Sequence, residues 1–316
     1  MKSQCTNVSN GEAKIGVDTV SHMVGFSKIL VPVDFSGGSE QPSLHAVQQA
    51  AWLARRFGSE IALLHVVTPV EYPAGWLERG DEITARDLHS RAVQGAQRHL
   101  ESFALSVLNG IQVTRELLRG DPAREIVKAS DARGVDLIVM PTRGETLFGF
   151  LLGSVTAKVL HETACPVWTG AHLEKTVARD FSVRNILCSV TLNAHNRHTL
   201  SRAAELAAAI DGRLTLVHIT SSVERFGPGG TYVNAEWQKE LVGAAAEEIA
   251  RLQTEAGTNA EVVIDSGDAP QLLNDIAAET NADLLVIGHI PGRSHWGDNG
   301  NGYDIIRKSK IPVLSV

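Results

Sequence analysis

The residues best placed to do chemistry in this 316-residue chain lie between Asp136 and Gly170, where Arg143-Gly144, Gly149 and Gly153-Ser154 follow a short apolar run, Leu137 to Met140. Glycine lets backbone N–H groups approach a ligand with no Cβ in the way. A helical pattern opens at Gly153-Ser154, and the first turn of a helix presents unpaired N–H groups at the positive end of its dipole. Strand, glycine loop and helix start together favour an anion, most commonly a phosphate chain. Asp34 closes a second apolar run, KILVPVD from Lys28, and places a carboxylate where open α/β sheets bind ligands.

The elements that must position these residues can be read in order. Lys28 to Asp34 is a buried strand, and Phe35 to Gly38 turns the chain into a helix from near Ser39, with Ala46, Ala50, Leu53 and Ala54 on its apolar face. Glu60 to Val67 is the second strand, followed by an excursion through Pro69, Pro73 and Gly75 and a long helix from about Asp81 to Leu108. Gln112 to Leu118 forms strand three, Gly120-Asp121-Pro122 a turn, Ala123 to Ala132 a helix, Leu137 to Met140 strand four, and Pro166 to Thr169 strand five. Strands alternating with helices in this way require a parallel sheet covered on both faces.

The second half repeats the first. RNILCSV from Arg184 matches the first strand, and RLTLVHI from Arg213 matches IALLHVV, down to His218 against His65. Gly267-Asp268-Ala269-Pro270 matches Gly120-Asp121-Pro122, ADLLVIG to Gly288 matches VDLIVMP, and Ile311-Pro312-Val313-Leu314 matches Cys165-Pro166-Val167-Trp168. The chain is a tandem duplication of one α/β unit. Its expected organisation is a loosely ordered polar tail over 1–25, a first domain over 26–170, a linker over 171–182 and a second domain over 183–316.

Bulk composition narrows the function classes. Hydrophobic residues at 43% and charged residues at 21% describe a globular protein of about two domains. A net charge of -7 argues against general nucleic-acid or membrane-surface binding, which needs a basic face. Three widely spaced cysteines, Cys5, Cys165 and Cys188, suit neither a disulfide framework nor a zinc motif. With no run of about 18 apolar residues and no signal-peptide core, the expected location is the cytoplasm.

KILVPVDFS, ALLHV, GDPAREIV, DLIVMPTRG and above all LLGSVTAKVLHETACPV resemble the universal stress protein family in its tandem two-domain form, across essentially residues 26–316. The resemblance implies two open, Rossmann-like parallel sheets of five strands, order 3-2-1-4-5, with helices on both faces. It implies too that fifth strands pair across a dimer axis; here the two units are joined, so the chain can form that pseudo-dimer internally, with a further homodimer as an alternative. The ATP-binding branch of the family carries G-x2-G-x9-G-S/T and an aspartate at the end of strand one. On this chain these map to Asp34, Gly144, Gly153 and Ser154, with Val66 where the family uses main-chain atoms near the adenine, and Arg143 beside the loop. Two departures stand out: Pro141 replaces the first glycine and removes an N–H donor, and eight residues, not nine, separate Gly144 from Gly153.

Each of these residues has a plainer reading. Asp34 can simply close a turn by accepting from the N–H of Ser36 or Gly37. Ser154 can cap its helix instead of meeting phosphate. Val66 also serves the core, and Arg143 is either a phosphate clamp or a solvated loop cation. His65 and His218 sit in apolar strands without neighbours at metal spacing and are expected to be core residues, and Cys165 to be inert. In the second half Val190-Thr191 replaces Val-Asp, and HIPGRSHWGDNGNGYDIIRKS, loosened by Gly292, Gly297, Gly300 and Gly302, has no Gly-Ser pair, although Arg293 could meet a phosphate. That half is expected to have lost nucleotide binding and to serve structure, regulation or partner contact.

The expected function is therefore a stress-response protein whose first domain binds ATP, with Mg²⁺, as a regulatory ligand. No positioned base accompanies Asp34, so catalysis is not expected beyond slow hydrolysis, and a protein partner is left unnamed. Two other readings compete. One is a dimerising or scaffolding member of the family that binds no nucleotide. The other is an adenylating enzyme, since Ser36-Gly37-Gly38-Ser39-Glu40 resembles the loop of ATP pyrophosphatases, with Glu40 and Gln41 where that loop has Asp and Ser.

Overall fold

β1 (Lys28–Pro32) and β4 (Leu137–Met140) are apolar on both faces, so neither can end at water on either side. The computed structural model, which describes residues 25–35, 40–69, 82–141, 145–146, 149–150, 152–170, 181–192, 196–221, 235–289 and 301–316, places both inside one sheet. β2 (Glu60–Val67) and β3 (Val113–Arg119) extend it on the far side of β1, and β7 (Val167–Thr169) lies beyond β4, which gives the order 3-2-1-4-5. A short hairpin, β5 (Glu145–Thr146) with β6 (Gly149–Phe150), sits apart from it. The second half repeats the order with β8 (Asn185–Ser189), β9 (Arg213–Ser221), β10 (Glu261–Gly267), β11 (Leu284–Ile287) and β12 (Val313–Ser315). The two five-stranded parallel sheets are then fused into one of ten strands, because β7 pairs antiparallel with β12 in the register Leu314 opposite Trp168.

Helices cover both faces. On one lie α1 (Gln41–Phe57) and α2 (Glu82–Ser102), with their counterparts α5 (Asn196–Ile210) and α6 (Ala235–Ala256), around Ile29, Val31, Leu53, Leu100, Leu200 and Ile249. On the other lie α3 (Pro122–Arg133), α4 (Ser154–Glu162), α7 (Ala269–Glu279) and α8 (Asn301–Lys308), around Leu30, Leu64, Ile126, Val159, Leu273 and Ile306. Both apolar layers run unbroken from one half into the other.

The duplication extends to side chains that pin the strands. Asp136 accepts the N–H groups of Ser27 and Lys28 at 2.8 and 3.1 Å, and Asp283 accepts those of Arg184 and Asn185 at 2.9 Å. Asp121 and Asp268 cap α3 and α7, each at 3.0 Å from an N–H three residues on. Gly120 and Gly267, ahead of those caps, have φ of +148° and +154°, which only glycine adopts without strain. His65 donates from Nδ1 to the carbonyl of Val33 at 2.8 Å, and His218 does the same to Val190 at 2.7 Å. Both histidines thus tie strand two to the end of strand one.

Several boundaries differ from the sequence reading. α1 begins at Gln41, not near Ser39, and β1 ends at Pro32, two residues short of Asp34. α2 stops at Ser102, not at Leu108, because Ala104 has a φ of +55° and breaks the helical path. Alanine in that region costs about 1–2 kcal/mol that glycine avoids. Ala104 also packs partly against the core. Ala104→Gly is therefore expected to stabilise the fold by about 0.5–1 kcal/mol, read as a higher urea midpoint at unchanged slope. The polar tail over 1–24 and residues 171–180 of the linker lie outside the described residues. Phe181, at the end of the linker, packs edge-on to Trp52 at 5.6 Å and Trp168 at 6.3 Å.

Contacts besides the strand pair join the halves. The guanidinium of Arg56, in the last turn of α1, donates twice to the carbonyl of Ala209 at the end of α5, at 3.1 and 2.6 Å. Arg202 lies over the Phe26 ring at 5.6 Å. Beyond β11, His289 donates from Nε2 to the carbonyl of Thr163, the C-cap of α4, at 2.9 Å.

Burial holds the His289 imidazole below its ordinary value of 6.5, against the opposing pull of the Thr163 carbonyl, and His161 adds to the lowering. Above about pH 6.5 the ring is neutral whether the chain is folded or not, so stability there is independent of this group. Below it the unfolded chain takes the proton first, and stability is lost as pH falls toward the lower folded value. Urea midpoints between about pH 7 and pH 5 should fall less steeply in His289→Gln than in the wild type. Equal slopes would remove His289 from the acid response.

Candidate functional site

A parallel sheet of order 3-2-1-4-5 has one place where successive crossovers leave in opposite directions, between β1 and β4. The helices part there, and a cleft opens at the carboxyl ends of the strands. In the first half this cleft has a volume of about 780 Å³. Val33 and Asp34 beyond β1, Leu64 to Thr68 at the end of β2, and Met140-Pro141 at the end of β4 form its base. Pro42-Ser43 of α1, Pro122 and Ile126 of α3, and Gly153 to Thr156 at the start of α4 form its walls. Ile126 and Met140 are buried, so one side of the cleft is an apolar floor suited to a flat ring.

Asp34 is exposed, and its main chain is fixed from below. The buried Ser43 hydroxyl accepts the Asp34 N–H at 2.9 Å and donates to the Asp34 carbonyl at 3.2 Å. One serine thus satisfies both backbone groups, and the Asp34 carboxylate stands at the cleft from a rigid base. Val66 is half-buried and lines the cleft beside it.

The start of α4 corrects one reading. Gly153 is the N-cap residue and, as glycine, makes no side-chain capping bond. Ser154 is the first helical residue and is exposed, so the plain capping role weighed for its hydroxyl is not the one it has. The helix start is fastened instead through Thr156, whose buried hydroxyl donates to the Pro141 carbonyl at 3.2 Å. Pro141 therefore sits at the base of the cleft with its carbonyl engaged and no N–H to offer.

Asp34, Val66, Gly153 and Ser154 are brought together around one space. Arg143 and Gly144 lie outside the described residues, as do Gly292, Arg293, Gly297 and Gly300 of the second half. Gly302 does not belong to a loop; it is the second residue of α8. Sequence reasoning missed Ser43 and Thr156, whose bonds join the start of a helix to the end of a strand before it, across nine and fifteen residues. For Ser43 the one local signal was Gln41-Pro42-Ser43, a proline in the first turn of a helix.

The Asp121 carboxyl is held below its usual range chiefly by the Arg124 N–H, with Lys158 at 3.7 Å assisting. Burial pushes the thiols of Cys165 and Cys188 up to about 12, so neither is a nucleophile at neutral pH. Among the described residues no group of three or more His, Cys, Asp or Glu side chains could hold a metal ion by itself, and no helix is long and apolar enough to cross a membrane.

Fold and cleft define a class: a doubly wound α/β protein with a ligand cleft at the switch point of its first half. Residues 25–169 and 182–316 each match the model of the universal stress protein family. The chain belongs to that family, as two of its domains in tandem. A universal stress protein of Methanocaldococcus jannaschii is 32% identical over 143 residues, 45% of this chain and 80% of the relative. One of Bacillus subtilis is 31% identical over 154 residues, 45% of this chain and 97% of the relative. Over both halves at once, the fold is similar to the crystal structure of a universal stress protein from Archaeoglobus fulgidus, with a TM-score of 0.64, 22% identity, and cover of 91% of this chain and 97% of the other. A universal stress protein structure from Pseudomonas aeruginosa gives a TM-score of 0.61 at 19% identity, over 93% and 94%.

Proposed function

We propose that the first-half cleft binds ATP, with Mg²⁺ carried on its phosphates, as a ligand that regulates the protein and is not turned over efficiently. One observation carries this reading: a helix start with glycine at its N-cap, Gly153-Ser154, opens into the same cleft as Asp34 and an apolar floor. The three features suit the three parts of a nucleotide. Backbone N–H groups at a helix start meet phosphate, a carboxylate accepts from ribose or base, and apolar side chains cover the adenine. A volume of about 780 Å³ lies within the ordinary range of small-molecule sites. Arg143 and Gly144 complete the phosphate side in this reading. Mg²⁺ travels in this reading with the phosphates, which together with water supply its oxygens, and needs no dedicated cage of protein ligands. Of the cleft-lining residues, Asp34 is assigned to the ligand in this reading and His65 is engaged by its Nδ1 with the Val33 carbonyl, so efficient phosphoryl transfer forms no part of the proposal.

The second half, with Thr191 in place of the aspartate, serves in this reading as the structural partner that closes the fifth-strand edge. The test is to purify the protein without added nucleotide, release bound small molecules by denaturation, identify them by mass spectrometry, and titrate the apo protein with Mg-ATP. An adenine nucleotide near one per chain, or a saturable titration at that stoichiometry, is expected. Neither result would favour the scaffolding reading, in which Pro141 and the shortened loop have closed the site.

A further inference from the structure

Where the chain leaves β1, its main chain stays fully engaged for two more residues. The N–H of Val33 donates to the Leu64 carbonyl at 2.9 Å, and the Val33 carbonyl accepts from His65 Nδ1 at 2.8 Å. Both partners belong to β2. At Asp34 the partner changes: Ser43, in the first turn of α1, accepts the N–H and donates to the carbonyl. A hydroxyl can do both at once, because it carries a donor and acceptor lone pairs on one atom. Ser43 is buried and lines the same cleft as Asp34. The residue that presents the carboxylate is therefore held from α1, across the cleft base from the strand that holds its predecessor.

The duplication separates what is general in this arrangement from what is particular. The strand part is common to both halves: Val190 donates to the Val217 carbonyl at 2.8 Å and accepts from His218 at 2.7 Å. The helix part is not. α1 and α5 come into register through their buried faces, with Val47, Ala50 and Leu53 matching Leu200, Ala203 and Leu206. That register sets Asn196 against Ser43, and Thr191 already stands in place of Asp34. Serine and aspartate occur together in the first half and are both replaced in the second.

We infer that Ser43 is a positioning residue for the ligand of the first-half cleft and acts through Asp34. By clamping both main-chain groups of residue 34 it fixes where the carboxylate stands before a ligand arrives. Ordering that is already complete need not be supplied by the ligand, and the gain appears as affinity. Without the clamp, the main chain at 34 reaches other orientations, only a fraction of molecules present the carboxylate correctly, and the apparent affinity falls by that fraction. The Ser43 hydroxyl is itself engaged with main chain on both its donor and its acceptor side, so its effect on the ligand passes through the residue it holds.

The inference rests on the nucleotide reading for its ligand, and a double-mutant cycle keeps the two apart. Mg-ATP and adenosine are titrated into the wild type, Ser43→Ala, Asp34→Ala and the double variant, and urea unfolding is followed on the same four proteins. Adenosine reports the ribose and base contact without the phosphates. Ser43→Ala is expected to weaken both ligands by about three- to tenfold, the lower part of the range for residues coupled through one hydrogen-bond network. In the Asp34→Ala background the same change should alter affinity by less than about twofold, because no carboxylate is left to place. Stability should behave differently. Ser43 bonds main chain that alanine at 34 retains, so Ser43→Ala should lower the urea midpoint equally in both backgrounds. An affinity loss of the same size with and without the carboxylate would be a general loosening of the cleft; it would overturn the inference and leave nucleotide binding intact. Affinity undiminished in Ser43→Ala would overturn it as well. A wild type that binds neither Mg-ATP nor adenosine would remove the nucleotide reading, and this inference with it.

Discussion

Asp34→Ala is expected to weaken Mg-ATP binding by about tenfold to a hundredfold, because hydrogen bonds to an ionised carboxylate contribute roughly 1.5–3 kcal/mol and each 1.4 kcal/mol is a factor of ten. The change leaves the scaffold beneath it in place. Ser43 bonds the main chain of residue 34, not its side chain, and the carboxylate itself is exposed. Urea unfolding of the apo protein measures what the side chain contributes to stability apart from the ligand. Isothermal titration and urea unfolding on the same preparations separate the two effects. Undiminished ATP binding in the variant would mean that the nucleotide does not reach this carboxylate, and the placement of the ligand between Asp34 and Gly153 would have to be given up.

Trp168→Ala should bring the largest loss of stability. The indole is fully buried at the strand pair that joins the halves, directly opposite Leu314, and its Nε1 donates to the buried Gln49 side chain at 2.5 Å. Truncating a buried tryptophan costs about 3–5 kcal/mol through lost transfer energy and the cavity left behind, and here it orphans Gln49 as well. Phe181 loses part of its seat, since it packs against the same ring. Denaturant unfolding is expected to show that loss; a change under about 1 kcal/mol would mean that the junction is not built around the indole. Trp168→Phe distinguishes volume from the polar bond, because it keeps most of the apolar contact and removes only the donor.

Much of the architecture was legible because its signals are local. Apolar runs such as LIVM and LLVI, without alternation, demand cover on both faces, and the Gly-Asp-Pro landmarks gave away the duplication. The end of α2 was not legible: Phe103, Leu105 and Leu108 continue an apolar pattern, and nothing in an alanine announces the left-handed turn at 104. At the site, Asp34 and Gly153 could be placed on one edge of the sheet from strand and helix order. The clasp of Ser43 on Asp34 and the tether of Thr156 to Pro141 could not, because each joins elements whose meeting depends on the finished fold. Which of Gly153 and Ser154 takes the capping position was left open for a related reason: both residues suit it, and only the backbone decides which of them occupies it.

The register at the junction sets Trp168 against Leu314, a large side chain against a smaller one. A two-fold pair made from identical chains must place each central residue against its own copy, so a tryptophan there would face a second tryptophan. Covalent fusion lifts that restriction. With a guaranteed neighbour that dilution cannot remove, neither side of the junction has to match itself, and here the two sides carry different residues. If the chain were cut in the linker, the two fragments should prefer each other to their own kind.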